Sequence, residues 1–179
     1  GNIYDPFNGV DDIKNKLIRH VSDAFPEDPL RVLRVARFAA LDNKFKVQKE
    51  TLVLMKKMVE SRELKSLSIE RVIAEVTKGL ESENPDIMIY YLCESGALNE
   101  IFPGLYLPLD STSLIEQQSN NFVSLGKAIK ENSKSLTSES KIIMLLIAPY
   151  FFRESRSIKT NEEQAHLLKH LKLSSTNHK

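Results

Sequence analysis

The stretch Glu27-Asp28-Pro29-Leu30-Arg31-Val32-Leu33-Arg34-Val35-Ala36-Arg37-Phe38-Ala39-Ala40 decides how the chain is read. Asp28 can cap free amides, and Pro29 suits the first helical position, where its missing N–H costs no hydrogen bond. At about 100° per residue, Val32, Leu33, Val35, Ala36, Ala39 and Ala40 fall on one unbroken apolar arc. Arg31, Arg34 and Arg37 drift across roughly 120° of the other side, as spacing by threes must on about 3.6 residues per turn. Leu30, Phe38 and Leu41 share that side. The spacing predicts a helix that is apolar almost all round, with guanidinium groups set into it.

Arginine suits such positions because its planar fork stays charged and can pair two acceptors at once. Asp28 only accepts and Arg31 only donates, so together they can read an edge that presents both a donor and an acceptor. Glu27 is placed to hold Arg31 from behind. The plainer reading of the same residues is a capped helix whose arginines pair with nearby carboxylates.

Hydrophobic content of 41% with 27% charged residues is that of a globular protein, and the 179 residues allow one large domain or two small ones. The formal charge of +1 means that any nucleic-acid contact must come from local clustering. The single cysteine, Cys93, excludes an internal disulfide framework and sits in an apolar run, Tyr90-Tyr91-Leu92-Cys93, as a small core side chain. No apolar run reaches the roughly 18 residues of a spanning helix, and the first residues do not read as a secretory signal. The expectation is a cytoplasmic protein with no membrane partner.

In chain order, Gly1 to Val10 reads as an extended segment turning at Asn8-Gly9, with Gly9 free to take a positive φ. It has the look of an internal segment. Asp11 to Ile18 reads as a short helix with Ile13, Leu17 and Ile18 inward. His20 lacks a second ligand at metal spacing and reads as structural. Phe45-Lys46-Val47 looks like a connecting turn, Thr51 to Val59 a helix through Leu52, Leu54, Met55, Met58 and Val59. Ser68 opens a further helix with Val72, Ile73 and Val76 inward, and Asn84-Pro85 opens another, closed by Gly96. Pro103 to Ser113 is the expected boundary between domains. Beyond it, Leu114 to Glu131 is helical, Ile142 to Phe152 should end or kink at Pro149, and Asn161 to Leu173 carries His166 and His170 on one face without further ligands in view.

Several of these segments together are recognisable. Glu27 to Ala40 resembles the nucleotide-selecting motif of class II tRNA nucleotidyltransferases, the CCA-adding enzymes, and of related bacterial poly(A) polymerases. Upstream, Asp5-Pro6-Phe7-Asn8-Gly9 with Asp12-Ile13 and Leu17-Ile18-Arg19-His20-Val21 is similar to the family's hinge motif. Downstream, Leu67 to Val72 and Ser95-Gly96-Ala97-Leu98 with Ile101-Phe102-Pro103 are similar to its neck and early body. The resemblance runs over residues 1 to 105 and fades beyond them.

The resemblance implies an all-α, multi-helix neck and body preceded by a short extended hinge left from an α/β head. The implied divisions are 1–25 for the hinge, 26–104 for the nucleotide-selecting neck and 105–179 for a divergent body. It implies a parent enzyme adding CCA, or part of it, to tRNA 3′ ends from CTP and ATP. Asp28 and Arg31 would select the base with Glu27 in support, Arg34 and Arg37 would meet phosphate or RNA, and Asp5 and Gly9 would serve the hinge. Glu70 and Arg71 would buttress the first turn of the selecting helix. The implied partners are the tRNA 3′ end and acceptor stem and the head domain. Magnesium would be held by head carboxylates in an Asp-x-Asp motif, which this sequence lacks together with the Gly-Ser phosphate loop and the Arg-Arg-Asp motif. No catalytic or metal-binding residue is therefore assigned, and this portion alone is expected to be inactive. The alternative is a non-catalytic helical RNA-binding or protein-interaction module, or part of a poly(A) polymerase.

Overall fold

The computed structural model describes residues 3–102 and 112–155. Within them the chain is helical apart from two short strands. The order is α1 (Gly9–Lys14), β1 (Leu17–Ile18), a 3-10 turn (Phe25–Glu27), α2 (Leu30–Ala39), β2 (Lys46–Val47) and α3 (Lys49–Glu60). A second 3-10 turn (Glu63–Ser66) leads to α4 (Ile69–Leu80), α5 (Pro85–Glu94), α6 (Ala97–Ile101), α7 (Thr112–Glu131) and α8 (Ser138–Ser155).

Helix α2 packs against α4 and α5. Its predicted arc is buried throughout: Val32, Leu33, Ala36, Ala39 and Ala40 are inaccessible and Val35 nearly so. Leu30 is buried as well, whereas Phe38 and Leu41 remain exposed. Opposite α2 lie Val72, Val76 and Leu80 of α4 and Met88, Ile89 and Leu92 of α5, in one core with Phe122, Leu125 and Ile129 of α7 and Met144 and Leu145 of α8. Helices α5 and α7 approach closely because Gly126 has no side chain: a Cβ there would meet the Asp86 Cα at 2.5 Å. The apolar core thus runs from α2, α4 and α5 into α7 and α8. The expected boundary itself, most of Pro103 to Ser113, lies outside the described residues, as does the segment with His166 and His170.

Several local expectations are corrected. The helix expected over Asp11 to Ile18 stops at Lys14, because Lys16 adopts a left-handed φ of 54° that no α-helix continues. Leu17 and Ile18 then pair in parallel with Lys46 and Val47, so Phe45-Lys46-Val47 is a strand entry and not a plain turn. Ile13 consequently points to solvent, 63% exposed. The left-handed residue of the first turn is Asn8, with φ 58°, while Gly9 is already helical. Cys93 is only partly buried. Helix α8 runs through Pro149 without ending, since a proline removes one bond of the ladder while the bonds of the flanking turns remain. Gly96 does close α5 as expected, at φ 78°.

Candidate functional site

The site is the first turn of α2. The 3-10 turn delivers Asp28 in an extended conformation, φ −128° and ψ 104°, and its Oδ1 accepts the Leu30 amide at 3.2 Å. That contact satisfies one of the amides a helix start leaves open. The Asp28 carboxylate also lies across the Arg71 guanidinium of α4, with Nη2 at 3.2 Å from each oxygen. A carboxylate has about four acceptor sites; these contacts leave Oδ2 able to accept another donor. Both partners keep solvent access, at 51% for Arg71 and 32% for Asp28.

Arg31 is anchored separately, its Nη1 donating to the Ala24 carbonyl of the preceding turn. The rest of its fork is available to a ligand. Glu27, expected behind Arg31, is the exposed last residue of the 3-10 turn. The Ala24 carbonyl takes the supporting place instead. Of Glu70 and Arg71, the residues the resemblance implies as buttresses of this turn, Arg71 contacts it through Asp28, while Glu70 is exposed.

Further along, the arginines part company. Arg34 is exposed and lies near the Phe38 ring, 5.8 Å from the guanidinium carbon to the centroid. Arg37 is turned inward: its Nε donates to Glu75 of α4 at 2.7 Å, with the side chains only 18% and 9% exposed. Lys78 closes on the other Glu75 oxygen at 3.3 Å. The expected phosphate or RNA contact by Arg37 therefore competes with a buried ion pair. Sequence reading missed Glu75, although its place among Val72, Val76 and Gly79 on the inward face of α4 was a visible signal for a paired buried acid.

Upstream, Asp5 caps α1, accepting the Gly9 and Val10 amides at 2.7 and 2.8 Å. These amide bonds, Val10 first and Gly9 next, hold the Asp5 carboxyl below the usual carboxylate range. Arg19 staples the same segment to Asp12 at 2.6 Å and to the Phe7 carbonyl at 2.7 Å. His20 is structural, as expected, its amide and Nδ1 both on the Thr51 hydroxyl and its ring edge-on to Phe25. Among the described residues no group of three or more His, Cys, Asp or Glu side chains converges to hold a metal. The described residues therefore offer no set of carboxylates that would hold a magnesium ion.

Residues 44–107 match the family model described as the probable RNA and SrmB-binding site of polymerase A. The Multifunctional CCA protein of Mannheimia succiniciproducens is 49% identical over 108 residues, 59% of this chain and 26% of that protein. These matches support reading the chain as a fragment similar to the CCA-adding tRNA nucleotidyltransferases. The chain spans about a quarter of that relative's length. A solved tRNA-processing enzyme in a complex is 25% identical and covers 96% of this chain and 44% of its own, with a TM-score of 0.63. A CCA-adding enzyme solved with CTP superposes with a TM-score of 0.59 at 24% identity, over 90% of this chain and 35% of its own. The helical order of α2 to α8 is thus that of the neck and body of CCA-adding enzymes. Among the described residues no helix is long and apolar enough to cross a membrane.

Proposed function

We propose that this chain is the nucleotide-selecting and tRNA-binding portion of an enzyme that adds CCA, or part of it, to tRNA 3′ ends from CTP and ATP. The observation that carries the reading is the split anchoring of the first turn of α2: Asp28 on Arg71, Arg31 on Ala24, each with capacity to spare. C and A both present an exocyclic amino donor beside a ring acceptor, which a carboxylate and a guanidinium can pair. G and U reverse that order and would leave groups unpaired at about 1–3 kcal/mol each. Selection by protein side chains in place of a template follows from that asymmetry.

Arg34, which has no ion-pair partner among the described residues, is the better candidate for phosphate or RNA. Arg37 would serve by fixing α2 against α4. The Asp5 turn, with Gly9 in its grip, joins this portion to a preceding head domain and gives the pocket its pivot. The metal-binding carboxylates of the transfer reaction would belong to that head, so the 179-residue chain alone should incorporate no nucleotide with magnesium and tRNA. The CTP complex of a structural relative and the tRNA-processing role of another support these substrates.

The test is titration of the chain with CTP, ATP, GTP and UTP, followed by amide and arginine side-chain NMR. Shifts at Asp28 and Arg31 with CTP and ATP alone, abolished in Asp28→Ala, are the expected result. Equal response to all four nucleotides would refute base reading. A response to ATP alone would mark the poly(A)-adding branch, which the polymerase A family model keeps in view.

A further inference from the structure

Phe38 has no part in the core. It stands 37% exposed on the outward side of a helix whose inward arc is fully buried. Its ring is nevertheless held. The Arg37 guanidinium lies 4.3 Å from the ring centroid and cannot swing away without leaving Glu75. Arg34 sits 5.8 Å from the same centroid, and among the described residues it has no carboxylate partner. A rigid aromatic ring flanked by guanidinium groups is what an unpaired nucleobase stacks on, with the free cation placed for its phosphate.

The position along α2 matters as much as the chemistry. Phe38 is seven residues beyond Arg31, close to two full turns, so the two residues share an azimuth to within about 20°. At about 1.5 Å per residue they are roughly 10 Å apart along the axis. Stacked nucleotides in one strand advance about 3.4 Å each, so a strand along this face would pass Phe38 about three steps from the base-reading turn. We propose that Phe38, backed by Arg37 and flanked by Arg34, is a stacking shelf for an unpaired base near the 3′ end of the RNA, separate from the pocket for the incoming nucleotide. The occupant is single-stranded RNA, because the faces of duplex bases are hidden in their own stack. This assignment rests on the nucleotide-selecting reading for its direction along the helix, but not for its chemistry.

The test uses the 179-residue chain and a short single-stranded RNA ending in CCA, with 2-aminopurine placed three nucleotides from the 3′ end. Binding to the wild type should quench the fluorophore. Phe38→Leu keeps the apolar volume and should weaken binding about 5- to 100-fold, while Phe38→Trp should bind at least as well as wild type. Thermal melts check that both variants fold. Nucleotide shifts at Asp28 and Arg31 should be unchanged in Phe38→Leu. Wild-type-like RNA affinity in Phe38→Leu, or no RNA binding by the wild type, overturns the shelf. An equal loss of binding to a blunt duplex, or a loss of the CTP and ATP shifts, overturns it too, since the ring would then serve another ligand. Ring-dependent RNA binding without any CTP or ATP response would uphold the shelf and refute the selector, so the two readings fail separately.

Discussion

Helix α2 is tied to α4 at both ends, and the two ties differ in the property that separates function from structure. At the start, Asp28 of the α2 entry meets Arg71, with the pair half open to water. At the end, Arg37 of α2 meets Glu75, four residues on from Arg71, with the pair nearly closed off and Lys78 completing it. The charges are the same, with acid and base exchanged between helices. Solvent screening makes the first tie weak and replaceable, so Asp28 can accept a ligand at little loss. Desolvation makes the second tie costly to break, because either partner alone would be a buried charge. One helix thus carries a fixed end and a yielding end, and the residues proposed to read a base are at the yielding one.

The largest effect should come from the fixed end. Glu75→Ala strands Arg37 and is expected to destabilise the chain by about 3 kcal/mol in urea unfolding. Replacing both partners, Arg37→Leu with Glu75→Leu, should return stability to within about 1 kcal/mol of wild type, since leucine needs no partner. If the single and double variants are equally unstable, the ion pair is not what distinguishes the two ends. At the yielding end, Arg71→Ala should cost under about 1 kcal/mol of stability yet blur the NMR response to CTP and ATP, because Asp28 loses its orientation. A large drop in stability there would mean that the exposed tie is structural after all.

The smallest effect belongs to a third carboxylate, Asp5, which has backbone amides as its main partners. Its pKa in the folded chain lies below the ordinary 3.8 because the Val10 and Gly9 amides favour the charged form. A lowered folded value means that the unfolded chain binds the proton more readily, so stability rises with pH across that window. The contribution is complete above the ordinary value and is lost as the pH falls through the folded one. The Gly9 and Val10 amide resonances should therefore titrate with a midpoint below 3.8, and Asp5→Asn should abolish the transition. A midpoint at or above the ordinary value would show that the cap does not form.

What was legible came from local periodicity. The buried arc of α2 follows from residue spacing alone, and so do the buried Met55 and Met58 of α3, Val72 and Val76 of α4 and the glycine stop at Gly96. The paired strands were not legible, because Leu17 and Lys46 are far apart in sequence and two residues carry no alternation to read. The helix of Asp11 to Ile18 was overextended because nothing local announces that Lys16 turns left-handed. Glu75 was visible in the inward pattern but its partner was not, since the choice among Arg31, Arg34 and Arg37 depends on how α4 crosses α2.

By itself, then, the sequence determined where most of the helices lie and which arc of α2 is buried, because these depend on side-chain type and a fixed helical repeat. Only the tertiary structure decided the fates of the arginines and carboxylates. Arg37 is fastened to Glu75, Arg31 leans on Ala24, Asp28 shares Arg71, and Arg34 lies exposed beside the Phe38 ring. The reason is physical: the energy of a charge is set by what lies within a few ångströms of it and by how much water remains, and both are supplied by other parts of the chain.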